Sequence, residues 1–568
     1  MTLLEWFLFF LVVQVVHFAG TWKLYQKAGR KPWEAAIPIY NGVVLMRIIG
    51  RSPLWVLLLF VPIINIIMFF VIWVETLRSF GKNSDKDTLL GIITLGFYIY
   101  YINYVEDVTY KSERSLKAST KTGDTISSLL FAIVVATLVH TYVMQPFTIP
   151  TSSLEKTLLV GDFLFVSKFH YGARTPMTAV AAPMVHDTIP LANVKSYTKK
   201  PQLPYFRLPG FENAEKNDIV VFNWPVDTVR FFGDKKSIGI RKPIDKKSNY
   251  VKRCVGRPGD TLTIKNGVVY IDGKELILSE RAKPQRFYPL ETTGPITQDF
   301  LNKYDITEIR YYYSIRQDLW DNADVQDHLK GPKVRANLTE FKRDSTAVEV
   351  FGYIQEQQMQ RLGMQMLRNK LHVNLTDAKV TALRNDSFVK EVTDNYIYPP
   401  SSAIFPYSKS DWSVDNMGPI YIPQEGKTVE LNEETLPFYK MIISEYENND
   451  LKVNGDEIRI NGEIVTNYTF KQNYYWMMGD NRHNSEDSRY WGYVPEDHIV
   501  GKPVFIWMSL DANEPWSNIS KKIRWDRMFT TVSGDGEPVS YFNYFLIALA
   551  AWFGFDYFRK KKKKANND

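Results

Sequence analysis

Hydrophobic positions are spread unevenly along the 568 residues, and that unevenness divides the chain. Before residue 146 they form long runs, beyond it they alternate with polar positions over short stretches, and near the C terminus a long run returns. A helix that crosses a bilayer needs about 20 mainly apolar residues. Five segments approach this: 3–19 (interrupted by Glu5, Gln14 and His17), 54–74, 88–104, 126–143 and 541–558. The first is not read as a cleaved signal peptide, because no Lys or Arg precedes it and no A-x-A-like site follows.

The polar positions between these runs set an orientation. Lys23, Lys27, Arg30, Lys31, Arg47 and Arg51 follow the first run, and Lys111, Arg114, Lys117 and Lys121 follow the third. Basic loops stay cytoplasmic. Four crossings then put the N terminus and residues from about 145 to 540 outside, and a fifth returns the tail, Arg559 to Lys564, to the inside. Glu75, Asn65 and His140 lie in or beside the runs; they are few and two sit near span ends, which favours ordinary packing over a transport path. The net charge of +7 owes much to the tail, so no nucleic-acid surface is read from it. The single cysteine, Cys254, excludes an internal disulfide and a cysteine-based zinc cluster.

The middle of the chain reads as mainly β. DIVVFNWP, TLTIKNGVVYIDGK, DEIRINGEIV and YYWMMGD alternate or run apolar between turn residues, and the Asn-Gly pairs are hairpin signals. One interruption, 347–371, is rich in helix formers and predicts a helix. The predicted organisation is therefore a membrane region with four helices (1–145), a first β section of the outer region (146–265), an accessory β region with a helical part (266–470), a last β section (471–540), a C-terminal membrane helix (541–558) and a basic tail (559–568).

Candidate chemistry concentrates at three places. Thr151, Ser152 and Ser153 crowd together in FTIPTSSLEKTLLVGD, and a nucleophile among them needs a base. Histidine, present eight times, nowhere stands in a Ser/His/Asp-like context. Lys252, within the apolar strand pattern of NYVKRCVGRPGDTLTI, is the alternative. An ordinary lysine, with a pKa of about 10.4, is neutral in only about one molecule in 2,500 at pH 7; burial that lowers the pKa by roughly 3 units makes it a working base. The third place is MMGDNRHNSEDSRYWGYV.

Together these stretches resemble bacterial type I signal peptidase (leader peptidase), the membrane-bound Ser/Lys protease that removes signal peptides. Ile149–Asp162 is similar to I-P-S-x-S-M-x-P-T-L-x-x-G-D, Lys252–Asp260 to K-R-x-x-G-x-P-G-D, Gly479–Val494 to G-D-N-R-x-N-S-x-D-S-R-x-[WF]-G-x-V, and the segment from Asn217 to G-D-I-V-V-F. The resemblance implies a mainly β extracytoplasmic catalytic region of signal-peptidase type, with a partly helical insertion and transmembrane helices. It implies Ser153 as nucleophile, Lys252 as general base, and an oxyanion site formed by the Ser153 N–H and the Thr151 hydroxyl. Ser485 matches the hydroxyl that orients the lysine amine. Asp487 with Arg489, and Asp480 with Arg482, match supporting positions. Phe147, Ile149, Pro150 and Leu154 match the lining of shallow pockets for small substrate residues at −1 and −3. The implied partners are signal peptides of exported preproteins, the lipid bilayer and the protein-export machinery, with no cofactor and no metal. The implied location is the bacterial cytoplasmic membrane, multi-pass.

The departures are local. Leu154 replaces a Met as a membrane-facing hydrophobe; Glu155 and Lys156, the latter in place of a Pro, predict a more polar loop. Ser152, where Gly is common, is a rival nucleophile, though register favours Ser153. The four N-terminal runs and the block around 300–390 exceed the family pattern, as in a long form of it. The rival reading is a catalytically silent membrane-anchored secretion scaffold that binds partners through the insertion.

Overall fold

The structure is a computed structural model describing residues 2–116, 121–192, 194–229, 239–330, 336–534 and 536–565. Lys117 and the last three residues of the basic tail lie outside the described residues.

The long apolar runs fold as helices, but not as five unbroken ones. Helix α1 (Leu3–Lys27) opens with a capping box in which Thr2 and Glu5 exchange hydrogen bonds, so the expected interruption at Glu5 is a helix start. The run at 54–74 breaks: a turn of helix over Trp55–Leu58 is followed by Ile63 in the left-handed region (φ 71°) and then α2 (Ile64–Ser79). Pro62 disfavours helical geometry in the residue before it, which divides the run. The run at 88–104 also divides, into α3 (Asp85–Ile93) and α4 (Tyr98–Tyr104), at Leu95 and Gly96, both with positive φ. Neither segment is the single crossing helix that composition predicts. Two described helical segments are long and apolar enough to cross a membrane: α1, and Lys121–Val143, whose α-helical part is α5 (Lys121–Leu138). Helix α6 (Phe542–Ala565) covers the C-terminal run and leaves Phe545, Trp552, Phe553 and Phe555 exposed. Glu75 is buried among Arg114 (2.5 Å), Arg51 (3.4 Å) and Arg78 (3.6 Å), a structural ion cluster that ties α2 to the segment after α4.

Beyond α5 the fold is mainly β. The principal sheet contains β1 (Met144–Thr148), β2 (Asp162–Ser167), β3 (Ile219–Asn223), β4 (Asn249–Gly256), β5 (Tyr474–Met478), β6 (Val494–Pro495), β7 (Ile499–Ser509) and β8 (Thr530–Thr531). Their order is β1-β2-β7-β3-β4-β5-β6, with β8 also on β7, and every pair is antiparallel. Ile149, Leu154, Leu158, Leu164, Val166, Ile219 and Val221 form one apolar cluster behind the sheet. The Asn-Gly signal at 266–267 is a hairpin turn between Thr261–Lys265 and Val268–Ile271, with both turn residues at positive φ.

The block at 285–392 is a separate six-stranded antiparallel sheet, ordered 337–343, 347–353, 309–316, 365–376, 285–292, 389–392. The helix expected over 347–371 is here mostly strand. Ala347–Tyr353 and Gln365–Thr376 are both β, and only Glu356–Arg361 is helical. Gly363 (φ 61°) ends that helix, and pairing of 365–376 with strands on both sides overrides the helix propensity of its Gln, Met and Leu residues.

Candidate active site

Alternation along β4 decides which way its adjacent basic residues face. Lys252 and Arg253 point to opposite sides of the strand. Lys252, 3% exposed, reaches Ser153 on the short helical turn Ser152–Leu154, and its Nζ donates to Ser153 Oγ at 2.6 Å. The Lys252 ammonium also lies 5.4 Å from the centre of the Tyr250 ring. Burial lowers its pKa from 10.5 to about 8; the carboxylates of Asp487, Glu486 and Asp480 oppose that shift without cancelling it.

Arg253, on the other face, forks onto Asp480 with Nε–Oδ1 at 2.7 Å and Nη2–Oδ2 at 2.6 Å. Burial raises the Asp480 carboxyl, but the Arg253 charge and hydrogen bonds, together with Arg482 and Thr157, outweigh it and the net shift is downward. Thr157 Oγ1 donates to the same carboxylate at 2.7 Å, which joins the nucleophile loop to the Gly479–Asp480 turn. Asp487 pairs with Arg489 at 2.8 Å and accepts from the Gly479 N–H at 3.0 Å. Arg482 lies in the same turn, its guanidinium pushed down to about 10 by burial, and its backbone N–H donates to the Gln285 carbonyl at 2.9 Å.

Other expected positions differ from the sequence reading. Ser485 Oγ makes no hydrogen bond and does not orient Lys252. It packs instead against Gly479, where an added Cβ would lie 2.3 Å from Ser485 Oγ and 2.5 Å from the Ser153 carbonyl oxygen. Leu154 is neither membrane-facing nor open to a pocket. It is 2% exposed, held in the apolar cluster behind the sheet, because the helical turn that presents Ser153 directs the next side chain inward. Ile149 is buried in the same cluster, Phe147 packs at its edge, and Pro150 and Thr151 are exposed. Ser152 Oγ accepts from Asn484 Nδ2 at 3.2 Å. His483 is sealed from solvent, 2.8 Å from Asp415.

The inserted sheet grips the nucleophile loop from behind, a feature that sequence reasoning missed. Asn481 donates from its backbone to the Ser153 carbonyl (3.1 Å) and from Nδ2 to the Ser152 carbonyl (3.1 Å). Glu308, from the insertion, accepts from Asn481, Asn484 and Asn374, the last at 2.6 Å. Lys156, at φ 68°, bridges to Asp305 at 2.5 Å, and Gln285 Nε2 donates to the Glu155 carbonyl at 2.5 Å. The polar character expected at Lys156 is thus used to dock the insertion, whereas Glu155 is held through its backbone carbonyl. Asn481 and Asn484, inside the third motif, carried a local signal; Glu308 and Asn374 carried none.

A buried lysine amine on a serine hydroxyl, in a site cradled by antiparallel strands, is an arrangement for acyl transfer. Residues 122–316 and 421–508 match the model of the family "Signal peptidase, peptidase S26". The chain belongs to this family. Residues 33–113 match a family of unknown function, DUF5684. Signal peptidase I of Buchnera aphidicola subsp. Acyrthosiphon pisum is 22% identical over 422 residues, covering 74% of this chain and 86% of the relative. Signal peptidase I of Haemophilus influenzae is 22% identical over 433 residues (74% and 79%), and that of Rickettsia massiliae 29% over 203 residues (35% and 62%). The family match is discontinuous between 316 and 421, a gap that takes in most of the inserted sheet. The chain is thus a long-form type I signal peptidase, a serine protease that removes signal peptides.

Proposed function

We propose that Ser153 and Lys252 form the dyad that cleaves preproteins after small residues at −1 and −3. The observation that carries this reading is the 2.6 Å contact between two side chains that are 9% and 3% exposed. Unprotonated Lys252 accepts the Ser153 Oγ proton as Oγ bonds to the scissile carbonyl carbon. The Ser153 N–H and Thr151 hydroxyl face the oxyanion that develops. As the intermediate collapses, the Lys252 ammonium returns the proton to the leaving amine, and a water repeats the sequence on the ester, releasing the acyl product and Ser153.

Ser152 is disfavoured as nucleophile because its hydroxyl is held by Asn484 and not by the lysine. Phe147, Ile149 and Pro150 are read as the lining of shallow pockets at −1 and −3, which suit Ala, Gly or Ser. Asp480, Arg482, Asp487 and Arg489 brace the turn beside the dyad. Ser485 fills space against it. The catalytic region is read as extracytoplasmic, in a multi-pass protein of the bacterial cytoplasmic membrane, with the export machinery as a neighbour. One contact supports a shared side for the start of α1 and the catalytic region: Trp6 Nε1 donates to the Gln202 carbonyl at 3.0 Å.

The test is cleavage of a purified signal-bearing preprotein, with the new N terminus read by mass spectrometry. Wild type and Ser152→Ala are expected to cut after Ala at −1, and Ser153→Ala and Lys252→Arg to be inactive, since guanidinium stays protonated. Efficient cutting after Leu or Phe contradicts the pocket assignment.

A further inference from the structure

A second lysine is buried at the foot of the catalytic region, away from the dyad. Lys168, just after β2, is 7% exposed, yet among the described residues its ammonium meets no hydrogen-bond acceptor and no carboxylate, and it lies 5.8 Å from the centre of the Phe147 ring. Burial, aided by the charges of Arg174 and Arg207, pushes its pKa well below the ordinary value, so the charged form lacks a stabilising partner. Lys168 lines a cavity of about 240 Å³ shared with Arg174, Lys246, His140, His186 and Asp245.

The cavity's charges do not balance. Three cations face one carboxylate, and Asp245 is already engaged by the Thr178 N–H at 3.0 Å and hydroxyl at 2.7 Å. Arg174 spends only part of its fork, on the Asp497 carbonyl (2.6 Å) and Asn223 Oδ1 (2.7 Å), which leaves further N–H groups. His186 Nε2 meets the Lys247 carbonyl at 3.1 Å, and Lys246 Nζ meets the Val185 carbonyl at 3.4 Å. The wall also includes Ile63, Thr137 and Thr141, at the turn before α2 and the end of the Lys121–Val143 crossing segment. The site therefore lies at the level where a spanning helix meets lipid headgroups.

We propose that this cavity binds a phosphate group, with Lys168 and Arg174 as its principal contacts. Lysine and arginine side by side supply a point charge and a planar donor fork, the pair that suits tetrahedral oxyanions. A phosphate occupies a fraction of the volume, and the rest accommodates a small substituent such as a glycerol or ethanolamine group. Two sources carry this chemistry, a phospholipid headgroup and free phosphate. The inference does not depend on the Ser153–Lys252 assignment.

The test uses the full chain purified in phosphate-free detergent solution and titrated calorimetrically with inorganic phosphate and with dihexanoylphosphatidylglycerol. Wild type is expected to bind at least one probe. Lys168→Met should weaken that binding by about tenfold or more, as loss of a charge-assisted hydrogen bond implies, and Lys168→Arg should retain most of it. Tighter binding of the lipid assigns the site to headgroups; tighter binding of inorganic phosphate assigns it to the free ion. Thermal unfolding without either probe serves as the folding control: Lys168→Met should be no less stable than wild type, because it removes a lone buried charge. Failure of wild type to bind either probe, or equal binding by wild type and a folded Lys168→Met, overturns the proposal.

Discussion

Replacing Lys252 by methionine should abolish processing and yet stabilise the protein at neutral pH. The amine is 3% exposed, and burial brings its pKa from 10.5 down to about 8. One pKa unit corresponds to about 1.4 kcal/mol, so holding the protonated amine in the fold costs roughly 3 kcal/mol. The sign follows from proton binding. From about pH 8 to 10.5 the unfolded chain keeps a proton that the folded chain has released, so stability rises with pH across that window. Below pH 8 both states are protonated and the penalty is complete; above 10.5 it is gone. Methionine carries no charge and fills a similar volume, but forfeits the contact with Ser153, worth about 1 kcal/mol. The variant should therefore be more stable than wild type by roughly 2 kcal/mol at pH 7 and should lose that advantage by about pH 10.5. Urea unfolding followed by tryptophan fluorescence at the two pH values measures the difference. A variant less stable than wild type at pH 7, or a difference independent of pH, refutes the buried-base argument.

The same shift predicts a pH–rate profile for wild-type processing that rises nearly tenfold between pH 7 and 9 and flattens above an apparent pKa of about 8; a limb still rising steeply past pH 10 contradicts it. Glu308→Ala removes the carboxylate that holds Asn481, Asn484 and Asn374, and should lower kcat by about tenfold or more with KM little changed, measured on a peptide substrate. Gly479→Ala should be inactive, because its Cβ would fall 2.5 Å from the Ser153 carbonyl oxygen; Ser485→Gly in the same chain should not rescue it, since the backbone contact remains. Arg253→Met strands the buried Asp480 carboxylate and should destabilise the protein by about 3 kcal/mol or more in urea unfolding, with Arg253→Met/Asp480→Leu recovering much of the loss.

The contact between Ser153 and Lys252 was legible because each partner sits in a short, contiguous motif whose local geometry the chain itself dictates. Ser153 lies within the helical turn that follows an extended segment, and Lys252 stands in a strand whose neighbours are all buried or half-buried. Arg253 was adjacent to a recognised residue yet unassigned, since its partner Asp480 lies 227 positions away. Glu308 and Asn374 were invisible for the same reason: their role arises from the docking of a sheet whose strands pair across long intervals. The segment 347–371 shows how local preference misleads there, because strand pairing, not propensity, decides it. In the membrane region hydropathy located the apolar runs but not their breaks at Ile63 and Leu95, which depend on single backbone torsions.

In the proposed reaction Ser153 attacks the substrate with Lys252 as its base, and an acyl-enzyme trap reads that step directly. Wild-type protein mixed with a peptide ester, quenched in acid within the first turnover and digested, should carry the acyl group on the peptide that contains Ser153. Fragmentation should place the added mass on Ser153 itself, and the adduct should be absent from Ser153→Ala and from Lys252→Met. An adduct on Ser152 or Thr151, or one that forms at the wild-type rate without Lys252, contradicts the account.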